Sequence, residues 1–240
     1  MLRIAMWSGP RNISTAMMRS WGNRPDTFVC DEPLYAHYLA QVPVAHPGRS
    51  EVIASHDGDW RSVVRWLTEA TPNHAAIFYQ KHMAHHLLPH IEREWLRQVE
   101  NCFLIRDPRE MLASLGRKMD RPSLRDTGLP QQVEIFQLIK RTTGRVPAVI
   151  DAADVLRNPR KALSALCDAV GVDFSESMLS WPPGRRDTDG VWAKYWYDAV
   201  ERSTGFEPYK SKVIQLEPTL EKLAEECRGY YEELAQCKLS

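Results

Sequence analysis

The chain has 240 residues, 43% of them hydrophobic, and its 31 Lys and Arg balance 31 Asp and Glu. That length can bury a full α/β core, alone or with an appended helical cap. The even charge leaves no bulk field to recruit nucleic acid or an acidic membrane, so neither is expected as a partner and any basic patch must be local.

No apolar run approaches membrane-spanning length, and the N-terminus enters a strand without the apolar core and cleavage site of a leader peptide. The five cysteines, Cys30, Cys102, Cys167, Cys227 and Cys237, form no CxxC pair, and their odd number leaves at least one thiol outside any intramolecular disulfide framework. Reduced thiols and a cytoplasmic location are the expectation.

In chain order, Leu2 to Trp7 reads as a buried strand, Ser8-Gly9-Pro10 as a tight loop, and Ser14 onward as a helix ending near Trp21-Gly22. Such a turn aims free backbone N–H groups and the positive end of a helix dipole at one point, where Arg11, Asn12, Ser14 and Thr15 add side-chain donors. The guest that suits this corner is an anion, above all a phosphate. The competing reading is an ordinary helix start that binds nothing, with Ser14 or Thr15 as N-cap. The loop is not G-x-x-x-x-G-K-[ST]: counted from Gly9, the places of the second glycine and the lysine hold Ser14 and Thr15, which disfavours an ordinary ATPase or GTPase.

Thr27 to Cys30 is a short strand running into Asp31-Glu32-Pro33, which leaves Glu32 at the carboxyl end of a strand, the edge where open parallel sheets hold ligands. The alternative for Glu32 is a solvated loop acid. Residues 41–59, rich in Pro, Gly, His and Ser, read as a lid over a site. From Trp60, the spacing of Val63, Val64, Leu67 and Ala70 predicts an amphipathic helix stopped before Pro72. Ala75 to Gln80 reads as a buried strand delivering Lys81 and His82 to the same sheet edge, and a helix is expected from Leu87 to Val99. In the KHMAHH run His82 and His86 would share a helical face. No matching Cys, His or carboxylate cluster stands elsewhere, so no metal is expected.

Asn101 to Ile105 is the next strand. The sequence FLIRDPREMLASLGRK then puts Arg106 at the strand's end, Pro108 in the first turn of a helix, and Ser114 inside that helix among Met111, Leu112 and Leu115. Val133 to Ile139 fits a helix and Ala148 to Ile150 a strand leading into Asp151. The run DVLRNPRKALSALCDAVGV reads as a capped helix with Pro159 near its start, Leu163, Leu166 and Val170 on its apolar face, and Gly171 as its stop. Trp181 to Tyr197, WPPGRRDTDGVWAKYWY, is a basic turn beside an aromatic cluster. From Leu216 a charged amphipathic helix carries Leu220, Leu223 and Cys227 on one side. This alternation predicts an α/β fold, three layers α/β/α with a mostly parallel central sheet and a C-terminal helical region over 216–240.

Arg106 at a strand end, followed by Asp-Pro and by Ser114, resembles the motif with which sulfotransferases hold the 3′-phosphate of 3′-phosphoadenosine 5′-phosphosulfate (PAPS). Pro10 to Thr15 is similar in order to that family's Pro-Lys-Ser-Gly-Thr-Thr type loop, with Arg11 at the lysine's place, Asn12 at the first serine's, and Ser14 and Thr15 at the paired hydroxyls'. The stretch from Asp154 resembles the family's Asp-Leu, Asn-Pro helix. Arg185 and Arg186 take the arginine and lysine places of a triplet that closes over the nucleotide when Gly190 and Trp192 are set against its Gly-x-Trp-Lys. Three departures stand out. Ile13 replaces a glycine, so positive φ is not readily reached there; Ala16 replaces an aromatic that stacks on adenine in many members; and Asp187 replaces the glycine of the triplet.

The resemblance implies a P-loop-containing nucleotide-hydrolase-like fold over one domain, 1–240, and transfer of a sulfuryl group to a hydroxyl or amine of a small-molecule acceptor. It implies PAPS as co-substrate and no metal, with Arg11, Asn12, Ser14 and Thr15 on the phosphosulfate end, Arg106 and Ser114 on the ribose phosphate, and Arg185 and Arg186 closing over it. Arg11 would stabilise the leaving group. The family's base is a histidine in a Lys-x-His setting or a carboxylate at the second strand's end, so His82, His85 and Glu32 are candidates. Residues 41–59 and 119–129 would shape the acceptor pocket, and a homodimer is left open. Two other classes compete: a P-loop small-molecule or nucleotide kinase, which wants a Walker lysine and a magnesium-binding acid, and a non-catalytic nucleotide binder, which needs no base.

Overall fold

The computed structural model describes every residue except Val44, Ala45, Thr71, Lys212 and Ser240. Five strands, β1 (Leu2–Ser8), β2 (Thr27–Asp31), β3 (Ile77–Met83), β4 (Glu100–Ile105) and β5 (Ala148–Asp151), form one all-parallel sheet in the order β2-β3-β1-β4-β5. The helices around it are α1 (Ser14–Gly22), α2 (Tyr35–Gln41), α3 (Arg49–Ser55), α4 (Trp60–Glu69), α5 (Pro108–Leu115), α6 (Leu129–Thr143), α7 (Ala152–Arg157), α8 (Pro159–Val170), α9 (Ala193–Trp196), α10 (Asp198–Glu201) and α11 (Pro218–Ala235). The fold is the expected α/β class.

The apolar opening run becomes the central strand because it has helices on both faces, which is why its residues do not alternate in polarity. The two faces are read most clearly from β3. Tyr79 stacks on Trp21 of α1 with centroids 5.3 Å apart, whereas Phe78 meets Trp66 of α4 edge-on at 5.0 Å and Gln80 donates to the Leu67 carbonyl at 2.8 Å. Successive strand residues point to opposite faces, so α1 and α4 lie on opposite sides of the sheet. Phe136 of α6, edge-on to Phe103 at 5.6 Å, completes the α4 side. The chain leaves β1 toward the β2 edge but leaves β4 toward β5. The loops after these two adjacent strands therefore diverge and open a crevice at their carboxyl ends.

Two expectations change. Leu87 to Val99 is not a helix but irregular chain between short 3₁₀ turns at Ala84–His86 and Glu94–Gln98. Pro89 lacks an N–H and disfavours helical backbone at Leu88, and the Arg93 guanidinium takes up the Leu88 carbonyl at 2.9 Å together with that of Ile91. The third of the predicted strands is also longer than its apolar run: β3 continues through Lys81 and His82 to Met83, all seven residues buried. Residues 41–59, read as a lid, contain the helix α3, and His46 from this segment lines the cleft; Val44 and Ala45 lie outside the described residues. At the far end, α11 packs Leu223, Ala224 and Cys227 against Met111, Leu112 and Leu115 of α5. All five thiols are free, and no helix among the described residues is long and apolar enough to cross a membrane.

Candidate active site

The loop after β1 is shaped by steric demands. A Cβ on Gly9 would lie 2.2 Å from the Thr127 carbonyl oxygen, so only glycine fits. Arg11 and Ile13 both have left-handed backbone, φ 61° and φ 56°. Ile13 thus adopts the positive φ that its β-branched side chain disfavours, a conformation costing roughly 1–2 kcal/mol. Long-range contacts hold it there. Arg106 Nη1 donates to the Arg11 carbonyl at 2.7 Å, Asn12 Nδ2 donates to the Leu104 carbonyl at 3.2 Å, and the Ile13 side chain packs on the main core.

The strained turn leaves α1 bare at its start. Ile13 is the N-cap, no side chain caps the helix, and no acid stands in its first turn. Neither Ser14 nor Thr15 is a cap. The first N–H groups of α1 are therefore open to a guest, with the positive end of the dipole behind them. Arg11 Nε donates to Ser114 Oγ of α5 at 2.9 Å, so the two sequence stretches meet side chain to side chain. Burial, then Arg117 and Arg106, lower the pKa of Arg11, the signature of guanidinium groups crowded without enough counter-charge. Arg106 is partly balanced by Glu110, 3.1 Å from its Nε, and Glu110 in turn accepts from the Tyr209 hydroxyl at 2.6 Å.

From this corner a cleft of about 370 Å³ runs along the strand ends to Glu32, Lys81 and a wall of aromatic rings. Lys81 is fully buried and donates to Asp31 Oδ1 at 2.8 Å, Glu32 Oε1 at 2.5 Å and the Tyr197 hydroxyl at 2.8 Å. Burial opposes its charge, but the carboxylates of Asp31 and Glu32 more than reverse this and hold its pKa well above the usual lysine value. Glu32 has left-handed backbone, φ 45°, and its pKa is raised, by burial first and against the pull of Lys81. Beside it Tyr35 stacks on His86 at 4.4 Å and meets Trp192 edge-on at 5.0 Å. The Trp196 indole N–H donates to His46 Nε2 at 3.0 Å, and the Tyr35 hydroxyl also bonds that nitrogen.

The cleft brings together Arg11, Asn12, Ser14, Thr15, Glu32, His85, Arg106 and Ser114. His85 lies in its wall with Nδ1 buried and unpartnered; burial lowers its pKa to about 4, so it is neutral near pH 7.

Three predicted site residues, His82, Arg185 and Arg186, lie off the cleft. His82 lies on the other face of β3, stacked on Trp7 at 4.3 Å, because the strand continues past Gln80 and strict alternation gives the cleft face to Lys81 and Met83. Met83 thus takes the histidine's place in the Lys-x-His pattern. Asn12 lines the cleft, with its side-chain Nδ2 donating to the Leu104 carbonyl as a brace of the loop. Arg185 is exposed and lines no part of the cleft, and Arg186 lies behind α1 with Nη2 on the Pro182 carbonyl. Both are held off because Asp189 makes a fully buried bidentate pair with Arg19 of α1, at 2.5 and 2.7 Å.

Lys81 and Tyr197 are site residues that the sequence motifs do not single out. Lys81 is already at the expected sheet edge, and carrying strand alternation past Gln80 turns it, and not His82, into the cleft; Tyr197 gives no local signal, since its partner Asp31 is 166 positions away.

The family model for a sulfotransferase domain matches residues 2–227. The chain belongs to the sulfotransferase domain family. Solved structures agree on the fold of this sulfotransferase-family chain: the sulfotransferase domain of the curacin biosynthetic pathway (TM-score 0.60, 18% identity, 95% of this chain and 97% of that one) and the sulfotransferase of Alicyclobacillus acidocaldarius (0.53, 13%, 98% and 95%). The sulfotransferase domain of the Synechococcus PCC 7002 olefin synthase is similar at TM-score 0.50 and 20% identity, over 93% of each chain. Two Arabidopsis thaliana proteins, branched-chain-amino-acid aminotransferase-like proteins 1 and 2, are 37% and 34% identical over 203 and 229 residues, 85% and 95% of this chain. The chain spans only 36% and 40% of their lengths. Among the described residues no group of three or more His, Cys, Asp or Glu is arranged to hold a metal ion.

Proposed function

We propose that this sulfotransferase-family chain moves a sulfuryl group from PAPS to a hydroxyl or amine of a small, largely apolar acceptor. One observation carries the reading: a bare helix N-terminus and the crowded guanidinium groups of Arg11 and Arg106 share one cleft with a buried carboxylate of raised pKa. The donor is a nucleotide with two anionic ends, and the residues present fit it. The free N–H groups of α1 and the Ser14 and Thr15 hydroxyls would take the phosphosulfate end; Arg106 and Ser114 would take the ribose phosphate. Phe206, which also lines the cleft, offers the apolar surface that Ala16 lacks.

The donor supplies an activated sulfuryl group; the chain supplies position, charge and a base. Arg11 is permanently charged and stands where negative charge grows on the leaving phosphate. Glu32 is the base. Burial makes it more basic than an ordinary carboxylate, one of its oxygens is on Lys81, and the other, 3.9 Å from His86 Nδ1, has no hydrogen-bond partner among the described residues. The acceptor's proton goes to Glu32 while the acceptor oxygen's electron pair forms the new O–S bond, and the pair of the broken S–O bond stays with the departing phosphate.

The test has two parts. Calorimetry with 3′-phosphoadenosine 5′-phosphate and with ATP and magnesium separates this reading from a kinase: the first should bind and the second should not compete. A radiolabelled sulfate donor offered with phenols, alcohols and amines then separates an enzyme from a silent binder. Binding of magnesium ATP alone, or donor binding without transfer to any acceptor class, overturns the proposal.

A further inference from the structure

The buried network around Lys81 contains more than a base and its counter-ion. An ammonium has three protons and no acceptor site, and here all three are taken, by Asp31, Glu32 and Tyr197. The three partners are not equivalent. Asp31 Oδ2 accepts from the Tyr197 hydroxyl at 2.7 Å and from the Gly190 N–H at 3.2 Å, and its side chain is 1% exposed. Tyr197 is itself saturated: it donates to Asp31 and accepts from Lys81 and, at 3.3 Å, from the Trp192 indole N–H. Glu32 and Tyr197 both line the cleft, but of the three only Glu32 keeps an oxygen there, Oε2, without a hydrogen-bond partner among the described residues, and 11% of its side chain is exposed.

We infer that Tyr197 is a positioning residue: its hydroxyl, seated between Lys81 and Asp31, fixes the ammonium to the buried side of the network and makes Glu32 the partner that exchanges during reaction. The inference rests on the reading of Glu32 as base. When Glu32 takes the acceptor's proton, its hold on Lys81 weakens, and one Lys81 N–H becomes free at the cleft as charge develops there. Tyr197 and Asp31 keep the other two in place, so the ammonium turns toward substrate instead of drifting. The same hydroxyl couples this event to the Gly190–Tyr197 segment, because Asp31 holds Gly190 and Trp192 holds Tyr197.

The titratable groups facing Glu32 are Asp31 beside it, Lys81 from β3, Tyr35 from α2, His86 from the turn after β3, and Tyr197. Removing the Tyr197 hydroxyl takes a donor from Asp31 and leaves that carboxylate's charge less screened next to Glu32. Glu32 then holds its proton more tightly.

The test is Tyr197→Phe, which keeps the ring over Lys81, 5.3 Å from ammonium to centroid, and so keeps the packing. Expected results are an acid limb of kcat displaced upward by about half a pH unit or more, kcat at the plateau reduced by about tenfold, and the KM for PAPS within about twofold. A parallel carboxyl-carbon NMR titration of Glu32, assigned with Glu32→Gln, needs no turnover and should show the same upward displacement. If Glu32 titrates alike in both proteins, Tyr197 is structural only and the inference fails, whatever happens to the rate. If the titration shifts while the unmodified protein neither binds 3′-phosphoadenosine 5′-phosphate nor transfers sulfate, the network stands and it is the proposed function that has failed.

Discussion

The two ends of the cleft solve opposite problems. The Arg11–Arg106 end collects more positive charge than its one nearby carboxylate, Glu110, offsets, from backbone N–H groups and guanidiniums that stay charged at any working pH. The Glu32–Lys81 end neutralises almost everything it holds, and its members are titratable groups buried against one another. One end is built to attract an anion and the other to move a proton. Donor affinity should therefore be nearly flat with pH, and the pH dependence of transfer should arise at the other end.

The sharpest way to break this contrast is to remove the one cation of the neutralised end. Lys81→Met leaves Asp31 and Glu32 buried side by side with no counter-charge, and breaking a buried pair in this way costs about 3–5 kcal/mol. Urea denaturation at pH 7 should show that loss, and it should shrink as the pH falls far enough to protonate the carboxylates. A loss below about 1 kcal/mol would mean the network is hydrated and not the closed cluster described. At the opposite end, Arg106→Ala should leave the fold intact and weaken 3′-phosphoadenosine 5′-phosphate by about 100-fold or more, since the same guanidinium faces the cleft and clamps the Arg11 carbonyl. Arg106→Lys should restore little, because a point charge cannot serve Glu110 and that carbonyl together. Unchanged affinity in the alanine variant, measured by calorimetry, would remove Arg106 from the donor site.

A third effect separates both ends from the body of the sheet. His82 is buried on the far face of β3, and burial, followed by Lys81, lowers its pKa to about 3 against 6.5 for the free side chain. The unfolded chain then binds more protons than the folded one between those values, so stability rises with pH there. His82's contribution is whole above about pH 6.5 and is lost progressively as the pH falls toward 3. At pH 5 the deficit is about 2 kcal/mol. His82→Phe keeps a ring against Trp7 and removes the titration, so its stability should fall less steeply between pH 6.5 and 5. Its acid limb for transfer should match that of the unmodified protein. A displaced limb would bring His82 back to the cleft chemistry.

The same division explains what could be read in the sequence. The anion end is local: Gly9 to Thr15 lie consecutively, Arg106 and Ser114 share one strand-to-helix turn, and Arg11 reaching Ser114 follows from β1 and β4 being neighbours. Glu32 was legible for a related reason, as the residue after a short apolar strand. The proton end joins Asp31, Lys81 and Tyr197 across 166 positions, and no local pattern announces that Tyr197 will turn inward. His82 was misplaced because apolar residues mark where a strand is buried but not where it ends: β3 buries Gln80, Lys81 and His82 as well. Arg185 and Arg186 matched in spacing and missed in space, since the Arg19–Asp189 pair that holds their turn behind α1 spans 170 positions.

The smallest effect tests how the anion end is held open. Ile13 stands where the resembling loop has glycine, a replacement from which positive φ is not expected, yet it takes the left-handed conformation and closes no cap on α1. Ile13→Gly relieves roughly 1–2 kcal/mol of backbone strain. Against that stand the unfolded-state entropy of the new glycine, roughly 0.5–1 kcal/mol, and the packing of a half-buried side chain on the core. These nearly cancel, and stability should move by less than about 1 kcal/mol, well short of the roughly 2–5 kcal/mol of a fully buried isoleucine truncated to alanine. Donor affinity should stay within about threefold, because the N–H groups keep their direction from Arg106 on the Arg11 carbonyl and from Asn12 on Leu104. A loss above about 3 kcal/mol with affinity intact would make Ile13 a core residue whose strain is incidental. A loss of affinity with stability intact would show that its branched side chain, and not those two braces, orients the first turn of α1.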